Sequence, residues 1–239
     1  MRHYARIFSQ QRAVVQIVGE QMGKHYDLII FDLDGTLVDS AADIVATVQY
    51  IIEKYGFEPR SDTFIRGCIG GGARNVLLKS LGEDKEALID REILPLFKAY
   101  YEENCAVYTD LYPGVKDVLG HYRKMGRPMA LATYKIRSAT EKIMKTLAFD
   151  EYFDYLVTAD DVENPKPHPE CIKKILAHYQ MRPEQAVLVG DTKTDFMTGH
   201  NAEVDVCAVT YGYGSSEVLR DLGPAYMVDG IDEIKELLL

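Results

Sequence analysis

Short, uninterrupted apolar runs recur along this chain, with helix-length amphipathic stretches between them. Leu28-Ile29-Ile30-Phe31 is the first; Met129 to Ala132, Leu156 to Thr158, Ala186 to Val189 and Val206 to Val209 follow. A run of this length without polar alternation suits a strand buried on both faces. The intervening patterns have helical spacing. Ile143, Met144 and Leu147 share a face within Arg137 to Leu147, as do Ile172, Ile175, Leu176 and Tyr179 within Pro169 to Tyr179. Strands alternating with helices of that length imply βαβ units, so the class expected is α/β with a parallel sheet.

One stretch breaks the alternation. From about Ser40 to Thr109 the apolar residues keep helical spacing throughout: Ile44, Val45, Val48, Ile51 and Ile52; then Val76, Leu77 and Leu81; then Ile93, Leu96, Phe97 and Tyr100. Gly56-Phe57-Glu58-Pro59 and Gly82-Glu83-Asp84 punctuate them. An all-helical insertion after the first strand reads as a small second domain. Hinges are expected near Val38–Ser40 and Tyr112-Pro113-Gly114. The division is then residues 26–38 and 111–239 for the core, 39–110 for the helical insertion, and 1–25 for an N-terminal extension. That extension carries Arg2, Arg6 and Arg12 before a short apolar patch, too short for the core of a signal peptide. It is read as a helix or tail, or as an upstream start with Met22 as the alternative beginning.

Composition narrows the partners. The 239 residues include 37 acidic and 27 basic side chains, a formal charge of −10, which argues against nucleic acid or an anionic membrane as the main partner. Hydrophobic residues at 47% can supply a sizeable core. The four cysteines form no Cys-x-x-Cys pair and no glycosylation sequon occurs, so reduced core thiols and a cytoplasmic setting are expected. The sequence carries no signal for an oligomeric state.

The chemistry-bearing residues fall where the expected strands end. Asp32 closes the first apolar run and Asp34 follows in the loop, with Gly35 free to turn beneath them. Ligands of open α/β sheets bind at the carboxyl ends of strands. Two carboxylates this close repel unless a cation joins them or one is protonated. A second acidic pair, Asp191 and Asp195, follows the run Val187-Leu188-Val189; Asp and Thr also favour helix caps, so capping is the competing reading there. With Asp32 and Asp34 they form a candidate site for a hard cation, and an all-oxygen donor set favours Mg²⁺ over zinc. Thr133 ends the second run, where a hydroxyl can equally bond the backbone. Lys166 sits among Pro165, Pro167 and Pro169, a restricted backbone suited to a pre-positioned charge.

Taken together, Asp32-x-Asp34-Gly35-Thr36, Thr133, Lys166 and Gly190-Asp191-x-x-x-Asp195 resemble, in order and spacing, the four motifs of the haloacid dehalogenase superfamily of phosphohydrolases, and the likeness covers about Tyr26 to Leu239. The resemblance implies a Rossmann-like core with a small helical cap. It implies Asp32 as nucleophile forming an aspartyl-phosphate, Asp34 as general acid and then base, and Thr133 and Lys166 as phosphate ligands. Mg²⁺ would be held by Asp32, the Asp34 backbone carbonyl and Asp191, with Asp195 in support. An Asp at the second position separates the phosphatases from the dehalogenases.

Within the superfamily the chain is similar to phosphoglycolate phosphatases and their pyrophosphatase relatives. Thr36 stands where the β-phosphoglucomutase branch commonly has Val. A phosphosugar mutase and a non-catalytic binding protein of the same fold are the alternatives. The insertion segment Arg66 to Arg74 resembles the cap of those phosphatases. Its Gly70-Gly71-Gly72 opens a helix and offers N–H groups to an anion, and Arg66 or Arg74 is expected to meet a substrate carboxylate. Arg66, Gly71 and Arg74 are thus the cap candidates, and a small phosphorylated metabolite the expected partner. Tyr134 departs from the pattern, because close relatives usually place Asn after the Thr. The bulkier ring is expected to alter the cap–core contact or the room for the leaving group. Tyr211 to Ser216 is expected to be a loop near the site, and the Tyr-rich segment Tyr100 to Tyr112 core or hinge packing.

Overall fold

The computed structural model describes residues 24–238, so the expected N-terminal extension lies outside the described residues except for Lys24 and His25. Six strands form the main sheet: β1 (Leu28–Phe31), β4 (Met129–Ala132), β5 (Tyr155–Val157), β6 (Ala186–Gly190), β7 (Asp205–Val209) and β8 (Tyr226–Val228). Their order is β5-β4-β1-β6-β7-β8, and every pairing is parallel. The five expected runs are five of these strands. The sixth, β8, is a three-residue edge strand outside the five expected runs; its pairing with β7 defines it.

Burial on both faces explains the continuous apolar runs. Ile29 and Phe31 of β1 enter one core cluster, while Leu28 and Ile30 enter the other. Helices α5 (Val115–Lys124), α6 (Arg137–Thr146), α7 (Glu170–Tyr179), α8 (Lys193–Asn201) and α9 (Ser216–Leu222) follow strands or precede them around the sheet. From central β1 the sheet grows first through β4 to β5, then returns to β6 on the other side. That reversal opens a crevice at the carboxyl ends of β1, β4 and β6.

Between Ser40 and Thr109 the backbone is helix, turn and loop. It contains α1 (Ala41–Tyr55), α2 (Asp62–Gly67), α3 (Gly72–Leu81) and α4 (Leu94–Asn104), the last entered through a π-turn at Ile89–Ile93. At the two expected hinge positions lie β2 (Val38–Asp39) and β3 (Asp110–Leu111), paired antiparallel as Val38 with Leu111 and Asp39 with Asp110. A ladder of two residues leaves no periodicity to read. Buried Asp43, in the first turn of α1, holds the returning chain beside it: its carboxylate accepts from the backbone N–H groups of Val107 (3.1 Å), Tyr108 (3.0 Å) and Thr109 (2.9 Å) and from the Thr109 hydroxyl (2.6 Å). Hydrogen bonds to an ionised group are the stronger kind, so this clamp joins the two crossings of the insertion firmly. All four cysteines are buried and unpaired. Among the described residues no helix is long and apolar enough to cross a membrane.

Candidate active site

Strand ends bring the acidic residues together. Asp32 continues β1, its N–H donating to the Val189 carbonyl of β6 (2.9 Å), and Asp191 directly follows β6. Asp195 sits in the first turn of α8, where Thr192 caps the helix. The Thr192 hydroxyl accepts from the Asp195 N–H (3.3 Å), and one Asp195 oxygen accepts from the Thr192 N–H (3.1 Å) and hydroxyl (2.5 Å). The capping reading therefore holds for Asp195, but it engages only Oδ2. The other oxygen, Oδ1, accepts from Lys166 at 2.7 Å, and the same ammonium donates to Asp32 Oδ1 at 2.9 Å. The three carboxylates of Asp32, Asp191 and Asp195 each place an oxygen within 4.8 Å of the others, and all are buried.

The charges do not balance. Three buried carboxylates face one buried ammonium. Burial pushes Asp32 well above the usual carboxylate range, Asp195 and Asp191 add to the shift, and Lys166 opposes it. Asp191 is pushed up to about 7, chiefly by burial and then by Asp195. Burial also works against the charge of Lys166, but Asp195 and Asp32 override it and keep the ammonium protonated above its ordinary range. An all-oxygen donor set with this surplus of negative charge fits a hard divalent cation. Close packing shapes the same spot. Gly35 has φ +88°, and a Cβ there would collide with the Asp191 carboxylate, as would one on Gly212. Gly35 therefore serves both a turn and a close approach.

Asp34 points elsewhere. Its side chain lies outside the three-carboxylate group and accepts from the Ser40 hydroxyl (2.5 Å) and pairs with Lys135 Nζ (3.0 Å). Ser40 occupies the N-cap position of α1 yet makes no side-chain cap, since its hydroxyl donates to Asp34. Lys135 is buried and donates also to the Tyr101 hydroxyl of α4 (2.5 Å). One ammonium thus joins the loop after β1 to the helical insertion. Thr133 is buried beside the cavity, and its hydroxyl accepts from the Lys135 N–H (3.2 Å).

Above these groups opens a cavity of about 430 Å³, bounded by the strand ends below and by α1, α3 and α4 above. Asp32, Asp34, Thr133 and Asp195 line one end, and Gly71 and Arg74 the other. The structure does not bring Arg66 to it. Arg66 pairs with Asp39 at 3.0 Å near the hinge, outside the cavity lining. Arg74 reaches the rim but is held by Asp90 (2.6 Å) and Glu86 (2.6 Å). Gly70, Gly71 and Gly72 all have positive φ, and Gly71 is the N-cap of α3. A Cβ on Gly72 would sit 3.3 Å from the Tyr134 ring, so this tyrosine packs directly on the glycine turn.

Thr36, from the first motif, and the tyrosines of the loop after β7 complete the surroundings of Asp191. Thr36 donates to Asp191 Oδ1 (3.1 Å), the Tyr213 N–H donates to Asp191 Oδ2 (2.7 Å), and the Tyr211 hydroxyl donates to the Thr36 carbonyl (2.8 Å). The Tyr213 hydroxyl accepts the Ser40 N–H (2.8 Å). The loop of Tyr211 to Ser216 lies at the site as expected, but through tyrosine contacts and not only its glycines. Tyr101 goes beyond packing, because its hydroxyl reaches Lys135. Adjacency to Thr133 was the available signal for Lys135: alternate residues leaving a strand face the same way.

Comparison with known proteins agrees with this geometry. The family model described as haloacid dehalogenase-like hydrolase matches residues 29–209. A phosphoglycolate phosphatase of Aquifex aeolicus is 34% identical over 186 residues, covering 78% of this chain and 85% of that one. A phosphoglycolate phosphatase of Nitrosococcus oceani is 28% identical over 221 residues, or 91% and 98% of the two chains. Among solved structures, that of a predicted phosphoglycolate phosphatase from Haemophilus somnus superposes with a TM-score of 0.79 at 27% identity, covering 87% of this chain and 96% of that one. With three quarters of its length matched by the family and its four motifs converging on one crevice, the chain belongs to the haloacid dehalogenase-like hydrolases.

Proposed function

We propose that this protein is a Mg²⁺-dependent phosphatase that hydrolyses a small phosphate monoester in two displacements. The observation that carries the reading is the Lys166 ammonium seated between Asp32 (2.9 Å) and Asp195 (2.7 Å), with Asp191 beside them and the two bonded aspartates lining an organic-sized cavity. Asp32 is the nucleophile. One of its oxygens attacks phosphorus, the ester P–O bond breaks, and Asp34 gives its proton to the departing alkoxide. Asp34, now a carboxylate, takes a proton from water; the hydroxide attacks phosphorus, and the P–O bond to Asp32 breaks to release phosphate. Lys166 and Thr133 hold phosphate oxygens, with Lys166 reducing the repulsion between Asp32 and a dianion. Asp32, the Asp34 carbonyl and Asp191 would hold Mg²⁺, with Asp195 in support, and the ion would supply charge neutralisation at the phosphate.

Residues 39–110 act in this reading as a cap over the core of residues 26–38 and 111–239, turning on the paired β2 and β3. Closure excludes water from the intermediate. Arg66, Gly71 and Arg74 are retained as cap residues that meet the substrate after closure, although the two arginines would first have to leave their acidic partners. The relatives' names make 2-phosphoglycolate the first ester to assay. The direct test is phosphate release from p-nitrophenyl phosphate with Mg²⁺. Wild-type protein is expected to turn over and Asp32→Asn to be inactive; equal rates would reject the nucleophile.

A further inference from the structure

The two ends of the cavity differ in kind. Its acidic groups lie at the strand ends, where Asp32, Asp34 and Asp195 are already paired with Lys135 or Lys166. Much of the remaining wall is apolar: Ile44 of α1, Ile69 before the glycine turn, Val76 of α3, Leu94 and Phe97 of α4, and Ile136 after Lys135, with Thr192, Thr194 and Tyr213 also in the lining. Two other cations border it. Arg74 is held by Glu86 and Asp90, and Lys98 is an exposed residue at the rim. A carboxylate drawn against this wall would lose water, with Arg74 committed to Glu86 and Asp90 and Lys98 at the rim as the one lining cation without a recorded ion pair among the described residues. The volume, about 430 Å³, lies in the range that encloses ligands much larger than the two-carbon glycolate group.

We propose that the preferred substrate is a phosphate monoester of an uncharged, largely apolar alcohol larger than glycolate, whose organic part packs against Ile69, Leu94, Phe97 and Ile136. This rests on the phosphatase reading above and names its substrate class. Tyr134 fits the same picture: its ring stands over Gly72 and adds apolar surface to the lining.

Steady-state kinetics of the Mg²⁺-loaded full chain on ethyl, butyl and hexyl phosphate and on 2-phosphoglycolate test it, since all four release primary alkoxides. The expected result is a kcat/KM that climbs about two- to fourfold per methylene as each is buried, with hexyl phosphate well above 2-phosphoglycolate. A flat alkyl series would show that the wall merely lets cap and core pack, and would overturn the proposal; so would a preference for 2-phosphoglycolate. Ile69→Lys, at a half-buried loop position, should lower the hexyl-to-phosphoglycolate ratio at least about tenfold, and an unchanged ratio would count against the assignment of this wall. Lys98→Gln should leave the ratio unchanged; a selective loss of 2-phosphoglycolate turnover would make Lys98 a carboxylate partner and reject the class proposed. No phosphate release from any ester, p-nitrophenyl phosphate included, would overturn the phosphatase reading and this inference with it.

Discussion

The core end and the cap end of the cavity are built by opposite means. At the core end the carboxylates are paired: Asp195 is shared between Thr192 and Lys166, Asp191 between Thr36 and Tyr213, and Asp34 between Ser40 and Lys135. At the cap end the wall is aliphatic and aromatic, and its arginine is turned to acidic neighbours. The first arrangement fixes positions to fractions of an ångström, as charge stabilisation demands. The second, on the substrate class proposed above, would select by size and hydration, which tolerate variation. In that reading one end sets the reaction, and the other sets which alcohol leaves.

The comparison can be broken most directly at its core end. Asp32→Asn is expected to lower kcat for p-nitrophenyl phosphate by at least about 10³-fold while KM changes little, because the variant keeps Lys166 and Asp191 and still offers an amide oxygen at position 32. A loss seen mainly in KM would move Asp32 from chemistry to binding. Asp34→Asn comes next. Acid catalysis contributes roughly 10²–10⁴-fold, and more where the leaving group is poor. The variant should lose more activity on hexyl phosphate than on p-nitrophenyl phosphate; equal losses would remove Asp34 from leaving-group protonation.

A pH experiment sharpens the electrostatics. Asp191 is raised by burial from its ordinary 3.8 to about 7, so the fold favours its protonated form. That contribution to stability is full below pH 3.8 and lost as pH rises through about 7. Metal-free protein should gain in Tm as pH falls from 8 to 6. Mg²⁺, which needs the carboxylate ionised, should raise Tm more at pH 8 than at pH 6. Asp191→Asn should flatten both trends; a slope that survives the substitution belongs to other groups. The smallest effect is expected where the two ends meet. Tyr101→Phe removes one hydrogen bond from Lys135, worth about 1 kcal/mol. Turnover should fall no more than about fivefold, with phosphate affinity unchanged. Lys135→Met should cost more, since Asp34 then keeps only Ser40 as a partner. Equal effects would show that Tyr101, and not Asp34, is the contact that matters.

Much of the fold was legible in order along the chain. Leu28 to Phe31 and Ala186 to Val189 announce strands because both of their faces are buried, which leaves no polar residue in the run. Asp32 and Asp191 announce a site because carboxylates rarely close such runs without a task. What pattern could not supply was whatever depends on partners distant in sequence. Tyr226–Val228 becomes a strand only through β7. Ser40 has the right identity for a helix cap, yet its hydroxyl is taken by Asp34. Arg66 and Arg74 look like free anion binders until Asp39, Glu86 and Asp90 are placed beside them.

The sequence alone thus determined the parallel sheet and the helical insertion, and it singled out Asp32, Asp34, Thr133, Lys166, Asp191 and Asp195 as candidates for one site, because each is encoded locally, by periodicity, by position at a strand end or by its neighbours in the loop. Only the tertiary structure decided how those groups share their charges and what faces the substrate's far side. Lys135 meets Asp34 and Tyr101, and Tyr134 meets Gly72, across chain separations that no local pattern records. Pairing between side chains depends on distance in space, and a carboxylate or an arginine has the same letter whether its charge is free or already satisfied.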